Sequence, residues 1–283
     1  QLAPAVDGAS GVVVCSPSAT SLELDNYPDA NFLFRTAPSD SLQMAAIARQ
    51  VQRTGARTVS VGYLDDRYGR GLRDAFLAEI EARRLTVLSS VGFGADETDL
   101  SDHADELLTG EPGVVVVLGD GDDGGRLLTA LDDAPGRTPQ VVVNDAIRSA
   151  RTTIQALGDD FRDRLTGVAP RAVGTRDDAP TGFFTAHAID CLNLIALAVT
   201  VANSDSPRSF RTNMASVSAD GVPCESFAAC AELLDDGLNI DYDGLSGSAD
   251  LANSTGDPAR ARFESFGFDA EGVETRVFDF VVP

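Results

Sequence analysis

Residues 57–76 read RTVSVGYLDDRYGRGLRDAF. Residues 58–63 are β-branched and apolar, the composition of a short buried strand. Asp65 and Asp66 break that pattern. From Tyr68 onward Leu72, Phe76, Leu77 and Ile80 recur at three- and four-residue steps, the period of a helix with one buried face. A strand feeding a helix through a polar turn is half of a βαβ unit. In sheets built from such units, ligands sit beyond the carboxyl ends of the strands, where residues 65–68 fall.

The same alternation continues downstream. Residues 85–91 read as a strand, 99–108 as a helix, 113–118 as a strand with four consecutive valines, 125–131 as a helix, and 140–143 and 165–169 as strands. Strand and helix exchange places over about 130 residues, which predicts a parallel α/β sheet with right-handed crossovers. Upstream, GVVVCS at 11–16 is a further strand, ended by the polar turn Pro17, Ser18, Ala19, Thr20, Ser21. Hydroxyls and backbone N–H groups in such a turn suit capture of a carboxylate, although an ordinary strand-to-loop cap has the same spacing. Residues 32–35 are extended, and Pro38, Ser39 and Asp40 read as the start of a helix with Leu42, Ala46, Ile47 and Val51 on its apolar face. Beyond an irregular, linker-like stretch at 171–178, residues 181–203 form the longest helical pattern, apolar nearly all round and so buried on more than one side. The remainder alternates short helices, turns and aromatic-bearing strands.

Composition narrows the function. With 43% hydrophobic residues in 283, the chain can bury one large core or two ordinary ones. Forty-four acidic residues against 22 basic ones give a net charge of −22, a field that repels nucleic acid and anionic membranes and favours solubility. Every basic residue is arginine. No uninterrupted run of about 18 apolar residues is present to cross a bilayer. Gln1 is not followed by the basic and apolar regions of a secretory leader. Cys224 and Cys230, with five residues between them, are too far apart for a CxxC knuckle and close enough for a local disulfide, which favours an extracytoplasmic compartment. Cys15 and Cys191 lie in apolar surroundings and read as buried thiols.

Few constellations call for enzymatic chemistry. Residues 119–124, GDGDDG, follow a strand and match the GxGxxG dinucleotide pattern, but Asp120, Asp122 and Asp123 sit where a pyrophosphate would lie and no basic residue precedes Arg126. The same run opens like a calcium loop, yet its twelfth position is Leu131 rather than glutamate. The acidic group at 241–243 reads as a turn at a strand end. His103 and His187 are the two histidines, both on helical patterns, and no GxSxG elbow accompanies them. No catalytic residue, metal site or cofactor is therefore expected. Instead, Tyr68, Asp120 and Asp145 each follow a strand of the same sheet. A carboxylate and an aromatic face on one rim can meet an ammonium group.

SPSATSLEL at 16–24, FLFRTAPSDSLQ at 32–43, DDRYGRGLRDAF at 65–76, the valine strand with its DG loop, and CESFAACAELLDDGLNIDYDGLSGSADL at 224–251 together resemble type I periplasmic solute-binding proteins. The similarity is to the branched-chain amino acid receptors of ABC transporters. It covers nearly the whole chain. The resemblance implies two Rossmann-like lobes that close on a ligand, lobe 1 from 1–35 and 174–251 and lobe 2 from 39–172 and 258–283. It implies that Ser18, Ala19 and Thr20 meet a ligand carboxylate, that Tyr68 is the tyrosine of the YG turn, and that Asp145 meets an α-ammonium. Asp120 stands where relatives often have tyrosine, which points to a polar or cationic ligand. The family's helix tyrosine aligns with Ile189. Relatives carry further lobe 1 strands before the equivalent of Gln1, so an incomplete lobe 1 is expected. The implied partners are an amino acid-like solute and a membrane permease, in an extracytoplasmic setting at the periplasm or cell surface that admits a lipid anchor. A ligand-sensing ectodomain of the same fold is the alternative. A dinucleotide-dependent enzyme built on Gly119 to Gly124 is a more distant one.

Overall fold

A computed structural model describes residues 11–136, 139–171 and 184–282. They fall into two compact units. Unit 1 is drawn from the described parts of Gln1–Leu42, Pro170–Arg262 and Val281–Pro283, and unit 2 from Gln43–Ala169 and Phe263–Phe280. In chain order the elements are β1 (Val14–Ser16), β2 (Leu33–Arg35), α1 (Asp40–Arg53), β3 (Thr58–Leu64), α2 (Arg67–Ala82), β4 (Thr86–Phe93), α3 (Ser101–Leu108), β5 (Val114–Leu118), α4 (Gly121–Asp133) and β6 (Gln140–Asn144). They continue with α5 (Arg151–Ala156), α6 (Asp159–Arg162), β7 (Leu165–Pro170), α7 (Thr185–Ala202), α8 (Pro207–Phe210), β8 (Val222–Cys224), α9 (Phe227–Asp235), β9 (Ile240–Gly244), β10 (Gly247–Ser248), β11 (Ala261–Phe268) and β12 (Glu274–Val282). Apart from Arg171, the stretch expected to be irregular at 171–178 lies outside the described residues, as do residues 181–183 of the long helical pattern.

Unit 2 is built on a seven-stranded sheet in the order β12-β11-β7-β6-β5-β3-β4. The strands β4, β3, β5, β6 and β7 run parallel, as the alternating pattern predicts. Val114 to Val117 and Val141 to Val143 are wholly buried because helices cover both faces, so an unbroken apolar run rather than an alternating one marks these strands. α2 buries Leu72, Phe76 and Ile80, the stripe its spacing announces. Strand order reverses between β3 and β5, with β4 on one side of β3 and β5 on the other. That is a topological switch point, the position where open α/β sheets leave a crevice.

One helix begins earlier than its pattern indicates. α4 starts at Gly121 rather than near residue 125, because Asp120 caps it by accepting the Asp123 N–H at 2.9 Å. The GxGxxG run is therefore the first turn of a helix. A Cβ on Gly121 would lie 1.7 Å from Ser149 Oγ, and one on Gly124 would lie 2.7 Å from Ile147 Cδ1. These glycines let α4 pack against the short 3₁₀ turn Asp145–Ser149. Their spacing needs no phosphate to explain it.

In unit 1, β1 and β2 pair in parallel, and β8, β9 and β10 form a second small sheet among the described residues. The core is α7 with Phe34, Phe210, Met214, Val217, Cys230, Ile240 and Tyr242. At 18 residues and mean hydropathy 1.6, α7 is long and apolar enough to cross a membrane by length and composition, although its sequence holds no unbroken apolar run of that length. Its Asp190 argues for a core helix instead. That carboxylate is buried and accepts hydrogen bonds from Tyr242 Oη at 2.8 Å, Leu245 N at 2.9 Å, and both the N–H and hydroxyl of Ser246 at 2.7 and 2.5 Å. Four donors satisfy a buried charge that bare hydrocarbon could not.

Cys224 and Cys230 are joined, as expected, tying β8 to α9. The expectation for the other two cysteines is corrected: Cys15 and Cys191 are not thiols but a second disulfide, with Cα atoms 5.6 Å apart. Residue separation gave no signal, since the two stand 176 positions apart and meet only because β1 packs on α7. Among the described residues no cysteine is free.

Replacing Asp190 by alanine leaves the Tyr242 O–H and two backbone N–H groups without their acceptor, although Asn193 still donates to the Tyr242 oxygen, and a loss of about 3 kcal/mol in stability is expected by denaturant titration. A cost below about 1 kcal/mol would deny Asp190 this role. A net charge of −22 also predicts that the melting temperature rises as sodium chloride is raised from low concentration toward 1 M, where screening falls to about 3 Å. A melting temperature indifferent to salt would show that the acidic excess exerts no net repulsion.

Candidate functional site

The residues expected to bind a ligand fall in both units, and each group is built by its own unit. In unit 2 the rim is set by three strand ends. β3 ends at Leu64, and Asp66 caps α2 by accepting the Gly69 N–H at 2.7 Å. A Cβ on Gly69 would lie 2.0 Å from the Leu64 carbonyl oxygen, so glycine lets the first turn of α2 close on the strand. Tyr68 is exposed in that turn. Asp65 is held outward by an ion pair with Arg70 at 2.6 Å.

β5 and β6 are joined at their ends by Asn144. This fully buried side chain accepts the Gly119 N–H at 3.1 Å and donates to the Gly119 carbonyl at 3.0 Å. Asp145 follows β6 directly, and Asp120 follows β5 after Gly119. With neighbouring strands about 4.8 Å apart, Tyr68, Asp120 and Asp145 follow consecutive strand ends around the switch point. The sequence had ended the sixth strand at Val143 and so missed Asn144.

The two carboxylates differ in character. Asp120 is exposed and employed as the α4 cap. Asp145 is half-buried, and Gln43 Nε2 donates to it at 2.8 Å while also donating to the Val168 carbonyl at 3.2 Å. Burial pushes the Asp145 carboxyl above its ordinary value, against the hydrogen bond from Gln43 and the charge of Arg148. Arg148 is itself engaged by Glu264 and Glu274, both at 2.6 Å, and stacks 4.2 Å over Phe266. Two cavities of about 360 and 430 Å³ lie elsewhere in unit 2, one beside α3 and α4 at Asp99 and Arg126, the other at Gly113 and Gln140 near the amino ends of β5 and β6.

In unit 1 the turn after β1 carries Ser18, Ala19 and Thr20. Ser16 Oγ accepts the Ala19 N–H at 3.1 Å, and the Thr20 carbonyl accepts the Asp40 N–H at 2.8 Å. Arg35, with no exposed surface, holds the turn from beneath: Nη1 donates to the carbonyls of Ala19 at 3.4 Å and Ser21 at 3.1 Å. Its remaining nitrogens pair with Asp257 at 2.6 Å and Asp25 at 2.7 Å. Burial weakens the charged guanidinium, but these two carboxylates outweigh it and leave Arg35 above its ordinary pKa. Ser18 is exposed and Thr20 half-buried, while the Ala19 N–H is already spent within the turn. Arg35, Asp25 and Asp257 were not legible as site-building residues, because only the fold brings the last within reach of the first. Among the described residues no group of three or more histidine, cysteine, aspartate or glutamate side chains is arranged to hold a metal ion.

Comparison with known proteins agrees with this architecture. A family model described as periplasmic binding protein matches residues 1–232. The chain is 25% identical over 263 residues to the chemotactic signal transduction system substrate-binding protein BasB of Halobacterium salinarum, covering 86% of this chain and 61% of that one. It thus spans less than two thirds of that curated relative. Among solved structures, the leucine-binding protein LivK of Thermotoga maritima superposes with a TM-score of 0.73 at 16% identity, over 98% of this chain and 75% of that one. An ABC transporter substrate-binding protein of Desulfitobacterium hafniense in complex with leucine gives 0.70 at 17% identity, over 95% and 74%. At these identities the superpositions establish the fold.

Near the unit 1 turn, His187 is buried, its pKa lowered from 6.5 to about 4 by burial, which outweighs the nearby charge of Asp190. An unfolded chain therefore binds a proton between pH 6.5 and 4 that the folded protein refuses, so stability falls as pH drops through that window, by on the order of 3 kcal/mol in full. His187→Phe removes that titration. The stability gap between wild type and variant should shift in the variant's favour as pH falls from 7 to about 4.5. Parallel pH profiles would show that His187 does not titrate there.

Proposed function

The chain belongs to the periplasmic binding protein family, and on that premise we propose that it is an extracytoplasmic receptor that reversibly captures an amino acid or a closely related polar solute, its two units serving as the lobes. What supports the reading is the run of strand ends β3, β5 and β6 at the switch point, with an aromatic ring and two carboxylates following them in unit 2. In this reading Asp145 meets the ligand ammonium, Tyr68 packs beside it, and Asp120 faces the ligand side chain. The Ser18–Ala19–Thr20 turn of unit 1 takes the carboxylate through hydroxyls and the N–H groups still available there. An aspartate at position 120 favours a ligand with a polar or cationic side chain. Two disulfides fit an oxidising compartment outside the cytoplasm. No part of this arrangement calls for bond-breaking chemistry.

Two kinds of partner fit a captured solute. Delivery to a membrane permease of an ABC transporter is the first. The naming of the Halobacterium relative for chemotactic signal transduction favours, as a second reading, presentation of the same ligand to a membrane-bound sensor. Capture of the protein by permease-containing or by transducer-containing membranes, with ligand present, separates the two.

A thermal-shift screen of amino acids, amides and small carboxylates should find compounds that raise the melting temperature by mass action. The reading fails if none does and NAD alone shifts it. Asp145→Asn should weaken an amino acid ligand by about 2 kcal/mol, a Kd increase of roughly 30-fold, while leaving the corresponding carboxylic acid without the amine nearly unchanged. Equal losses for both compounds would remove the ammonium role. Because the Asp145 carboxyl is raised, and a bound cation favours its ionised form, the wild-type affinity should also weaken as pH falls into the carboxylate range.

A further inference from the structure

We propose that the Cys15–Cys191 disulfide is the positioning element of the turn that receives the ligand carboxylate, setting affinity without touching ligand. The inference rests on the assignment of Ser18, Ala19 and Thr20 to that carboxylate.

The turn hangs from β1, a strand of three residues that pairs with β2 in a two-stranded parallel sheet among the described residues. Cys15 is the residue before Ser16, and Ser16 is the hinge of the turn: its Oγ accepts the Ala19 N–H at 3.1 Å, and its carbonyl accepts the Thr36 N–H at 3.2 Å. Pinning Cys15 therefore fixes the orientation of the hydroxyl that shapes the turn.

The other end of the bond is anchored. Cys191 follows Asp190, whose four hydrogen bonds from Tyr242, Leu245 and Ser246 lock this part of α7 to the segment after β9. Thr36, just past β2, ties into the same stretch of helix. Its hydroxyl donates to the His187 carbonyl at 2.8 Å and lies 3.4 Å from Cys191 Sγ. The carboxyl ends of β1 and β2 are thus both fastened to α7, one covalently and one by hydrogen bonds. The Arg35 clamp engages the turn from beneath, at Ala19 and Ser21, but does not hold Cys15. Without the disulfide, ligand binding would have to order the β1 end of the turn, and that ordering weakens affinity. The Cys224–Cys230 bond, of sequence separation 6, ties β8 to α9 and serves as an internal control.

The experiment compares wild type, the double variant Cys15→Ser/Cys191→Ser and the control Cys224→Ser/Cys230→Ser. The probes are the common L-amino acids, each binder being paired with its decarboxylated amine. Hydrogen exchange at residues 18–21 provides a readout that needs no ligand. The expected result for the Cys15/Cys191 variant is a Kd for the amino acid raised about tenfold or more, a change below about twofold for the amine, and faster exchange at 18–21, with the control like wild type. Unchanged affinity and exchange would overturn the positioning role while leaving the receptor function standing. Equal losses for acid and amine would also overturn it, since they mark general loosening. Failure of the wild type to bind any amino acid would overturn the receptor reading and this inference together. Should the double variant not fold, the fallback is wild type folded in oxidised form and then reduced, and unchanged exchange at 18–21 once the Cys15–Cys191 bond is open would overturn the proposal.

Discussion

A guanidinium with no exposed surface governs the shape of unit 1. Successive residues of β2 point to opposite faces, so Phe34 joins the core around α7 while Leu33 joins a smaller cluster with Phe32. Arg35 shares the face of Leu33, at a position where a charge must be compensated or expelled. Asp257 and Asp25 supply the charge, and the carbonyls of Ala19 and Ser21 take further donors. Removing the guanidinium from such a buried set costs about 3–5 kcal/mol, because two carboxylates are left behind without their cation. The segments that bring Asp25, Ala19, Ser21 and Asp257 together have few alternative arrangements. If this turn receives a ligand, as proposed, it is ordered beforehand and binding need not supply that order.

Unit 2 solves the same problem with neutral groups. Asn144 joins two strand ends through both functions of its amide, so neither the Gly119 N–H nor its carbonyl is left unpaired at the buried end of the sheet. Gln43 plays a similar part beside Asp145, dividing its two donors between that carboxylate and the Val168 carbonyl. Rigid strand ends allow short loops to present side chains at fixed positions. The acidic residues in those loops mostly begin helices: Asp66 caps α2 and Asp120 caps α4, where a negative group is favoured by the exposed N–H groups of the first turn.

How much of this the sequence disclosed follows from the range of each interaction. The parallel sheet was legible because burial on both faces writes itself into consecutive valines, a local signal. The helix after residue 67 was legible because one face is apolar at a constant period. The glycines of the GDGDDG run are ambiguous by themselves, since those needed for helix packing against Ile147 and Ser149 look the same as those that admit a phosphate, and it is the three aspartates that argue against a nucleotide. Arg35 with Asp257, Asn144 with Gly119, and Cys15 with Cys191 all depend on which strands become neighbours and in what register. Periodicity carries no such information, and the Cys15–Cys191 bond was misread as two thiols for that reason.

The rim's electrostatics also decide which of its carboxylates suits an ammonium group. Asp120 gains about 1 kcal/mol of helix stability from its cap, which a ligand would have to forgo or share. Its exposure lets water screen whatever charge it meets. Asp145 is in the opposite state: burial works against its charge, and the Gln43 amide, the already engaged Arg148 and the backbone N–H groups of Asp145 and Ala146 offset that only in part. A cation placed beside it recovers interaction that the empty protein lacks, in surroundings where charges are weakly screened. On the proposed reading, this makes Asp145, rather than the capping Asp120, the carboxylate suited to an amine. Asp120 would then, on the same reading, meet what the amine is attached to.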